Sequence, residues 1–476
     1  MLFRIPFAGD GPNFTPDSVF SHVRFALMPL FDTRDALSLR LTCKEVKEAV
    51  TEHAWEDQDT VIHGSVASWR ACFPRAIAAN VSRSPHSPHP VTDADFVHLA
   101  GVRHLRMREC LQVTDAAFAH LAGSIWTLDM GECNQASITD AAFVHLKGIK
   151  ALNMAYCDQD TITGEAFLHL KGVRELNMSG CSQATIKNDA FAHLAGIVKL
   201  AMYNCPQVGD AALAHVAGVS HLDIRFNSQS TLTDAAFVPL AGSITCLVIN
   251  SCTQFSPAAL APLTGIRELR MDGCTQLIND DSLSHLAGIH TLGINNHTSF
   301  VTDAGLAHLK GIKHLFMAGA PASVSDAGLA LLGGLETLYM TYSQTTITDG
   351  GLAHIAGVKE LNISGCTQFS RAIFPCLAGV RRLFMLYCNI DLQDSDFEHL
   401  VGVDTRAMSG NTTPTLTRAA LAPLTASLKY LTVDGCAPDL VEGARVLGLP
   451  RLPVTHKGCQ IVDEPLGLWN VKRIKV

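Results

Sequence analysis

The chain has 476 residues, 47% of them hydrophobic and 17% charged, with a formal charge of −8. This excludes wholesale disorder, and it exceeds one ordinary globular domain unless the fold is elongated or repetitive. The negative balance speaks against a dedicated nucleic-acid binder, which needs basic surface, and lysines and arginines do not cluster apart from Lys472–Lys475.

The opening "MLFRIPFAGDGPNF" has no apolar run ahead of a small-residue cleavage site, so no signal peptide is expected. No stretch approaches the ~18 apolar residues of a membrane span. Fifteen cysteines, an odd number in a long chain without a secretion signal, fit a reducing cytoplasmic or nuclear setting better than a disulfide scaffold.

Residues 14–57 form the first predicted unit. Val19, Phe20, Val23 and Leu27 follow helical spacing; a second helix starts at Thr33–Asp35 and carries Leu37, Leu39, Leu41 and Cys43; a third carries Val46, Ala49 and Val50. Such a segment can also serve as the N-terminal cap that a stacked-repeat protein needs. "FDTRDALSLRLTCKEV", Phe31–Val46, with Pro16 before it and Trp55 after it, resembles an F-box. It departs from that pattern at Thr15-Pro16, where leucine-proline is usual, and at Val46, where tryptophan is common. The resemblance implies docking onto Skp1 through Pro16, Phe20, Leu27, Leu30, Leu37, Leu39, Leu41 and Cys43. Residues 58–93 are expected to hold a weak first repeat, around Ala76–Val81, and a stiff, extended linker, "SRSPHSPHP" at Ser82–Pro90.

From 94 to 436 the chain copies one unit about fifteen times. Aligned on Leu105, Leu128, Leu152, Leu176 and their successors to Leu383 the steps are 22 to 25 residues; a degenerate copy has Arg406 in the leucine slot, and Leu431 closes the series. The period is that of a leucine-rich repeat. Leu105 and Met107 share one face of a strand while Arg106 and Arg108 share the other. Thr114-Asp115 starts a short helix with a hydroxyl cap and an acid in the first turn, Phe118 and Leu121 share its apolar face, and Gly123 ends it. One unit cannot bury its apolar side; stacked units share a continuous core. The expected fold is therefore an α/β leucine-rich-repeat solenoid, a horseshoe with parallel strands on the concave face, on the order of 70 Å along the stack, and short helices on the convex face.

Cysteine recurs after the strand, as in Cys110, Cys133 and Cys157, with Asn227 and Asn411 as substitutes; a buried turn-bonding ladder is expected, not a metal site. Histidine recurs near each helix end, from His98 to His399, about a helix diameter apart and too far for a zinc tetrahedron. Strand plus cysteine resembles the cysteine-containing class of leucine-rich repeats, which implies protein binding. The strand positions that vary are mixed charge early (Arg106, Arg108, Glu109, Asp129, Glu132, Asp223, Arg225, Arg270) and aromatic late, with all six tyrosines in strand segments. Phe316, Tyr339, Tyr342, Phe384, Leu386 and Tyr387 are the expected partner-binding residues. Residues 437–476 drop the repeat and are expected to cap the last rung, with Trp469 as a lid.

The chain has no phosphate loop, nucleophile elbow or zinc-protease motif, so no catalytic residue, metal or cofactor is expected. An F-box followed by leucine-rich repeats resembles the substrate receptor of a Skp1–cullin–F-box ubiquitin ligase. Skp1, a cullin complex and an unknown protein substrate are the partners this implies, and nucleic acid and membrane are not expected. The alternative is a leucine-rich-repeat scaffold or inhibitor with no ligase role.

Overall fold

The computed structural model describes residues 31–41, 44–85, 90–295, 301–319, 323–343, 346–410, 416–433 and 436–447. They fall into two compact units that divide between Ile186 and Lys187.

The first unit opens with α1 (Thr33–Leu39), α2 (Lys44–Glu52) and α3 (Val66–Cys72). Five parallel strands follow: β1 (Ala78–Asn80), β2 (His104–Arg106), β3 (Thr127–Asp129), β4 (Ala151–Asn153) and β5 (Glu175–Asn177). β1 falls within the stretch Ala76–Val81 and pairs with β2. Register is strict, with Leu105, Leu128, Leu152 and Leu176 side by side. Each strand is three residues long and leads through a turn to a helix of one or two turns, such as Asp115–Phe118 running into a 3₁₀ turn, Ala119–Leu121. Leu128, Met130, Ile138, Phe143 and Leu146 of one rung are at most 2% exposed. Burying each such side chain stabilises the fold by about 1.5–3 kcal/mol, an amount one rung alone could not realise.

The second unit repeats this plan with β6 (Lys199–Ala201), β7 (His221–Asp223), β8 (Cys246–Val248), β9 (Glu268–Arg270), β10 (Thr291–Gly293), β11 (His314–Phe316), β12 (Thr337–Tyr339), β13 (Glu360–Asn362), β14 (Arg382–Phe384), β15 (Thr405–Ala407) and β16 (Tyr430–Thr432). Neighbours pair parallel with leucine opposite leucine, except that Arg406 stands between Leu383 and Leu431. A helix, Pro438–Val446, follows the last rung and buries Leu440. The architecture is a leucine-rich-repeat solenoid: one strand and one short helix per repeat, in register. Among the described residues no helix is long and apolar enough to cross a membrane.

The constant threonine-aspartate pair does more than start a helix. Thr139 N and Oγ1 donate to the two carboxylate oxygens of Asp115 on the preceding rung, both at 2.7 Å, and Thr163 clasps Asp140 in the same way. The second unit repeats the clasp, as in Thr302 on Asp280 and Thr348 on Asp326. Each aspartate therefore holds its own helix start and the next rung. Glutamines form a second ladder: Gln159 Nε2 donates to Cys133 O and Gln183 Nε2 to Cys157 O.

The start of the first unit is tied to the edge of β1. Trp55 is 1% exposed, its Nε1 donates to Val50 O, and its own carbonyl accepts from Ile77 N and Ala78 N. Arg103 O makes the same pair of bonds to Trp126 N and Thr127 N one rung on. Residues around Trp55 therefore occupy the place of a rung before β1 and satisfy its edge. The proline-bearing stretch also begins inside the first rung, since Arg83 N donates to Arg108 O.

Candidate functional site

On each strand the leucine and the residue two further on enter the core, so the residues between them line the strand face. In the second unit this puts Phe316, Tyr339, Phe384, Leu386 and Ala407 into one cluster. Phe316 and Tyr339 meet edge to face at 5.1 Å, and Tyr339 and Phe384 lie 6.2 Å apart. The Arg270 guanidinium sits 5.4 Å from the Phe316 ring. Tyr339 Oη donates to Glu360, which pairs in turn with Arg382. Asn362 lies on the strand between Tyr339 and Phe384; it is fully buried, and its Nδ2 has no hydrogen-bond partner among the described residues.

Four of the six expected contact residues are thus spent on one another. Phe316 and Tyr339 are 9% exposed, Phe384 7% and Leu386 1%. Packed strands only ~4.8 Å apart leave a large side chain little open space between its neighbours. Tyr342 and Tyr387, at 50% and 46% exposure, are the accessible members. They do not lie in strands: of the six tyrosines only Tyr339 and Tyr430 do, and Tyr156, Tyr203, Tyr342 and Tyr387 stand in the turns that follow.

That turn has a fixed geometry. Its fourth residue after the leucine is left-handed rung after rung: Gly180, Gly273, Gly319, Gly365 and Gly410 have φ of 69° to 78° there. Tyr156, Phe226, Tyr342 and Tyr387 hold the same conformation, with φ of 59°, 57°, 53° and 55°, and so do Glu109, Glu132, Asn204 and Ser251, with φ of 53° to 64°. A side chain in this region costs about 1–2 kcal/mol, so glycine is the relaxed choice. Tyr342 leans over Gly365 and Tyr387 over Gly410, where a Cβ would collide with the tyrosine ring.

The charged strand face of the early rungs is largely self-neutralised. Arg106 meets Asp59 at 2.8 Å, Arg108 meets Glu132 at 2.5 Å and Asp129 at 3.6 Å, and Arg225 meets Asp223 at 2.9 Å. Burial outweighs the Arg108 charge and leaves the Asp129 carboxyl above its ordinary pKa.

The cysteine slot is a backbone-bonding ladder. Cys133 Sγ donates to Met107 O at 3.1 Å and Cys157 Sγ to Met130 O at 3.2 Å. Asn227 fills the slot with the same bond, Nδ2 to Met202 O at 2.8 Å. Burial pushes Cys133, Cys252 and Cys388 up to about 12, so these thiols are poor nucleophiles. The helix-end histidines are half-buried or exposed, and among the described residues no group of three metal-ligating side chains comes together. Asn411 and Trp469 lie outside the described residues.

Of the expected Skp1-docking residues, Pro16, Phe20, Leu27, Leu30 and Cys43 lie outside the described residues. Leu37 and Leu41 are 41% and 85% exposed, and Leu39 is half-buried.

Sequence reasoning missed Arg406. It is fully buried, stacks on Phe397 at 3.9 Å and points Nη2 at Met385 Sδ at 3.8 Å, while Nε and Nη1 have no partner among the described residues. Burial pushes its guanidinium down to about 9. The signal was present in the leucine slot but reads as a degenerate copy.

No protein-family model matches the chain, and no curated protein matches it. Two similar solved structures are TLR13 in a TLR13–ssRNA13 complex (17% identity, 77% of this chain, 59% of that chain, TM-score 0.44) and the Toll–Spatzle complex of Drosophila (14% identity, 79% of this chain, 56% of that chain, TM-score 0.47). The chain spans less than two thirds of the length of either.

Proposed function

We propose that the protein is a non-catalytic binding scaffold that holds a partner protein against the strand face of its second unit, around Tyr342 and Tyr387. The observation that carries this reading is their left-handed backbone. Both residues are bulky, half-exposed and strained at a turn position where Gly319, Gly365 and Gly410 relax. The slot also takes polar residues, Glu109, Glu132, Asn204 and Ser251; at Tyr342 and Tyr387 it holds a ring left half-exposed, with no core to fill. Tyrosine suits the role, with a large apolar face and one polar tip.

A photo-cross-linking residue at position 342 tests this. It should capture a discrete partner, and Tyr387→Gly should abolish the product. The same products from position 168, an exposed leucine on a helix of the first unit, would sink the reading.

The finer reading is a substrate receptor of a Skp1–cullin–F-box ligase, with the strand face holding substrate. Its support is the pair of exposed leucines, Leu37 and Leu41, beside the F-box-like sequence. Purified Skp1 should bind the full chain with a Kd on the order of 10 μM or tighter and lose it on Leu37→Asp with Leu41→Asp. No binding would leave a scaffold or inhibitor without ligase role, for which the buried Trp55 speaks. A cytoplasmic or nuclear location goes with either reading, since all thirteen described cysteines are free thiols.

A further inference from the structure

The first unit carries a second feature, away from the strand face. After each helix the chain turns back toward its strand, and the residue two before the leucine opens that return. In four successive rungs this residue is Arg103, Trp126, Lys150 and Arg174. They form one backbone-bonded column: Trp126 N donates to Arg103 O at 2.7 Å, Lys150 N to Trp126 O at 2.8 Å, and Arg174 N to Lys150 O at 2.8 Å. Lys147 and Lys171 flank it, three residues earlier on the last two rungs, where the helices end.

All five cations are exposed, and among the described residues none makes an ion pair. Trp126 is 47% exposed, a rare position for tryptophan, and the Arg103 guanidinium lies 4.5 Å from its ring. The adjacent position one residue on holds His104, Thr127, Ala151 and a half-buried Glu175. The column is therefore positive, aromatic at one rung, and not neutralised from within. The chain as a whole carries −8, so five uncompensated cations on one edge stand against the general balance. They are invisible to a search for basic runs, because the repeat spaces them about a full period apart and the fold then stacks them.

We propose that this edge of the first unit binds a short, extended, acidic segment of a partner protein, with an apolar residue of that segment against Trp126. The length fits. Rungs ~4.8 Å apart put Arg103 and Arg174 about 14 Å from end to end, which four or five residues of extended chain cover at ~3.3 Å each. The charge fits too: complementary charge speeds encounter and fixes register. A polyanion of greater length, such as nucleic acid, would meet the chain's net negative field beyond the strip. This surface is separate from the tyrosine site, so either reading can fail without the other.

The test uses the full chain and a fluorescein-labelled peptide of alternating glutamate and leucine, read by anisotropy. Lys150→Glu with Arg174→Glu should weaken binding about tenfold or more and flatten its salt dependence. Trp126→Ala should weaken it about threefold with the salt dependence kept. Arg267→Glu with Arg381→Glu, at the same slot in the second unit, should change it less than about twofold. Thermal melts should show all variants folded, since every position is on the surface. Oligothymidylate and phosphatidylserine vesicles are run beside the peptide. The proposal falls if the peptide does not bind the native chain, if the Lys150/Arg174 pair leaves binding unchanged, or if either other anion binds more tightly through the same residues.

Discussion

At the slot that opens each return to the strand, the first unit has Arg103, Trp126, Lys150 and Arg174, and among the described residues no carboxylate closes on them. Over three successive rungs of the second unit the same slot reads Lys313, Glu336, Lys359, and these charges close on one another: Glu336 lies 3.8 Å from Lys313 and 2.5 Å from Lys359. Lys429 likewise lies 3.8 Å from Asp404. The frame around this slot is the same in both units. A surface position that the core does not dictate can be written for a partner in one stretch of rungs and for self-neutrality in another.

If the frame is shared, damage to it must cost both units alike. The largest effect should come from alkali. The rung thiols are held neutral by burial, with Cys133 in the first unit and Cys252 and Cys388 in the second pushed up to about 12 from 9.0. The unfolded chain loses these protons near pH 9 and the folded chain keeps them, so stability is full below pH 9 and falls as pH rises toward 12. Each thiol contributes a fall of about 1.4 kcal/mol per pH unit. Urea midpoints at pH 7.5, 8.5 and 9.5 should drop steeply over the last step, and hydrogen exchange should rise in both units. A flat profile would contradict the buried ladder.

The next largest contrast lies within the leucine slot. Leu152→Arg in the first unit, or Leu361→Arg in the second, should cost about 3–5 kcal/mol by burying an unpaired charge. Arg406→Leu runs the same experiment backwards and should stabilise by about 1–4 kcal/mol, read as a higher urea midpoint. Loss of stability on Arg406→Leu would mean that the Phe397 stack outweighs the two unpartnered nitrogens.

Smaller still is the clasp. Asp140→Ala frees Thr163 N and Oγ1, and Asp326→Ala frees Thr348. Each should cost about 1–2 kcal/mol, at the low end for charge-assisted bonds because water reaches them. Equal losses in the two units would sharpen the comparison, and a large loss in one alone would break it.

Much of the frame was legible from the repeat period. Leu105 with Met107, Thr114 with Asp115, Phe118 with Leu121 and Gly123 each gave a local rule, and stacking made the rules consistent. What was not legible lies between rungs. The threonine-to-aspartate clasp joins residues about a period apart, and only geometry shows that one carboxylate serves two helices. The basic column was hidden for the same reason. The tyrosines misled because the strand position and the turn position are only three residues apart: Tyr339 lies in the strand, where it packs, and Tyr342 in the turn, where it is exposed. Trp55 fitted an external pattern by spacing, while its buried indole and its carbonyl serve the edge of β1.

The central claim is that Tyr342 and Tyr387 are held in strained turns for a partner and not for the fold. Its most direct measurement is the urea midpoint of the Tyr342→Gly, Tyr387→Gly chain. Relief of left-handed strain should offset the lost ring contacts, and stability should stay within about 1 kcal/mol of the parent or rise above it. A loss of more than about 3 kcal/mol, of the size that core side chains give, would make the tyrosines structural and contradict the account.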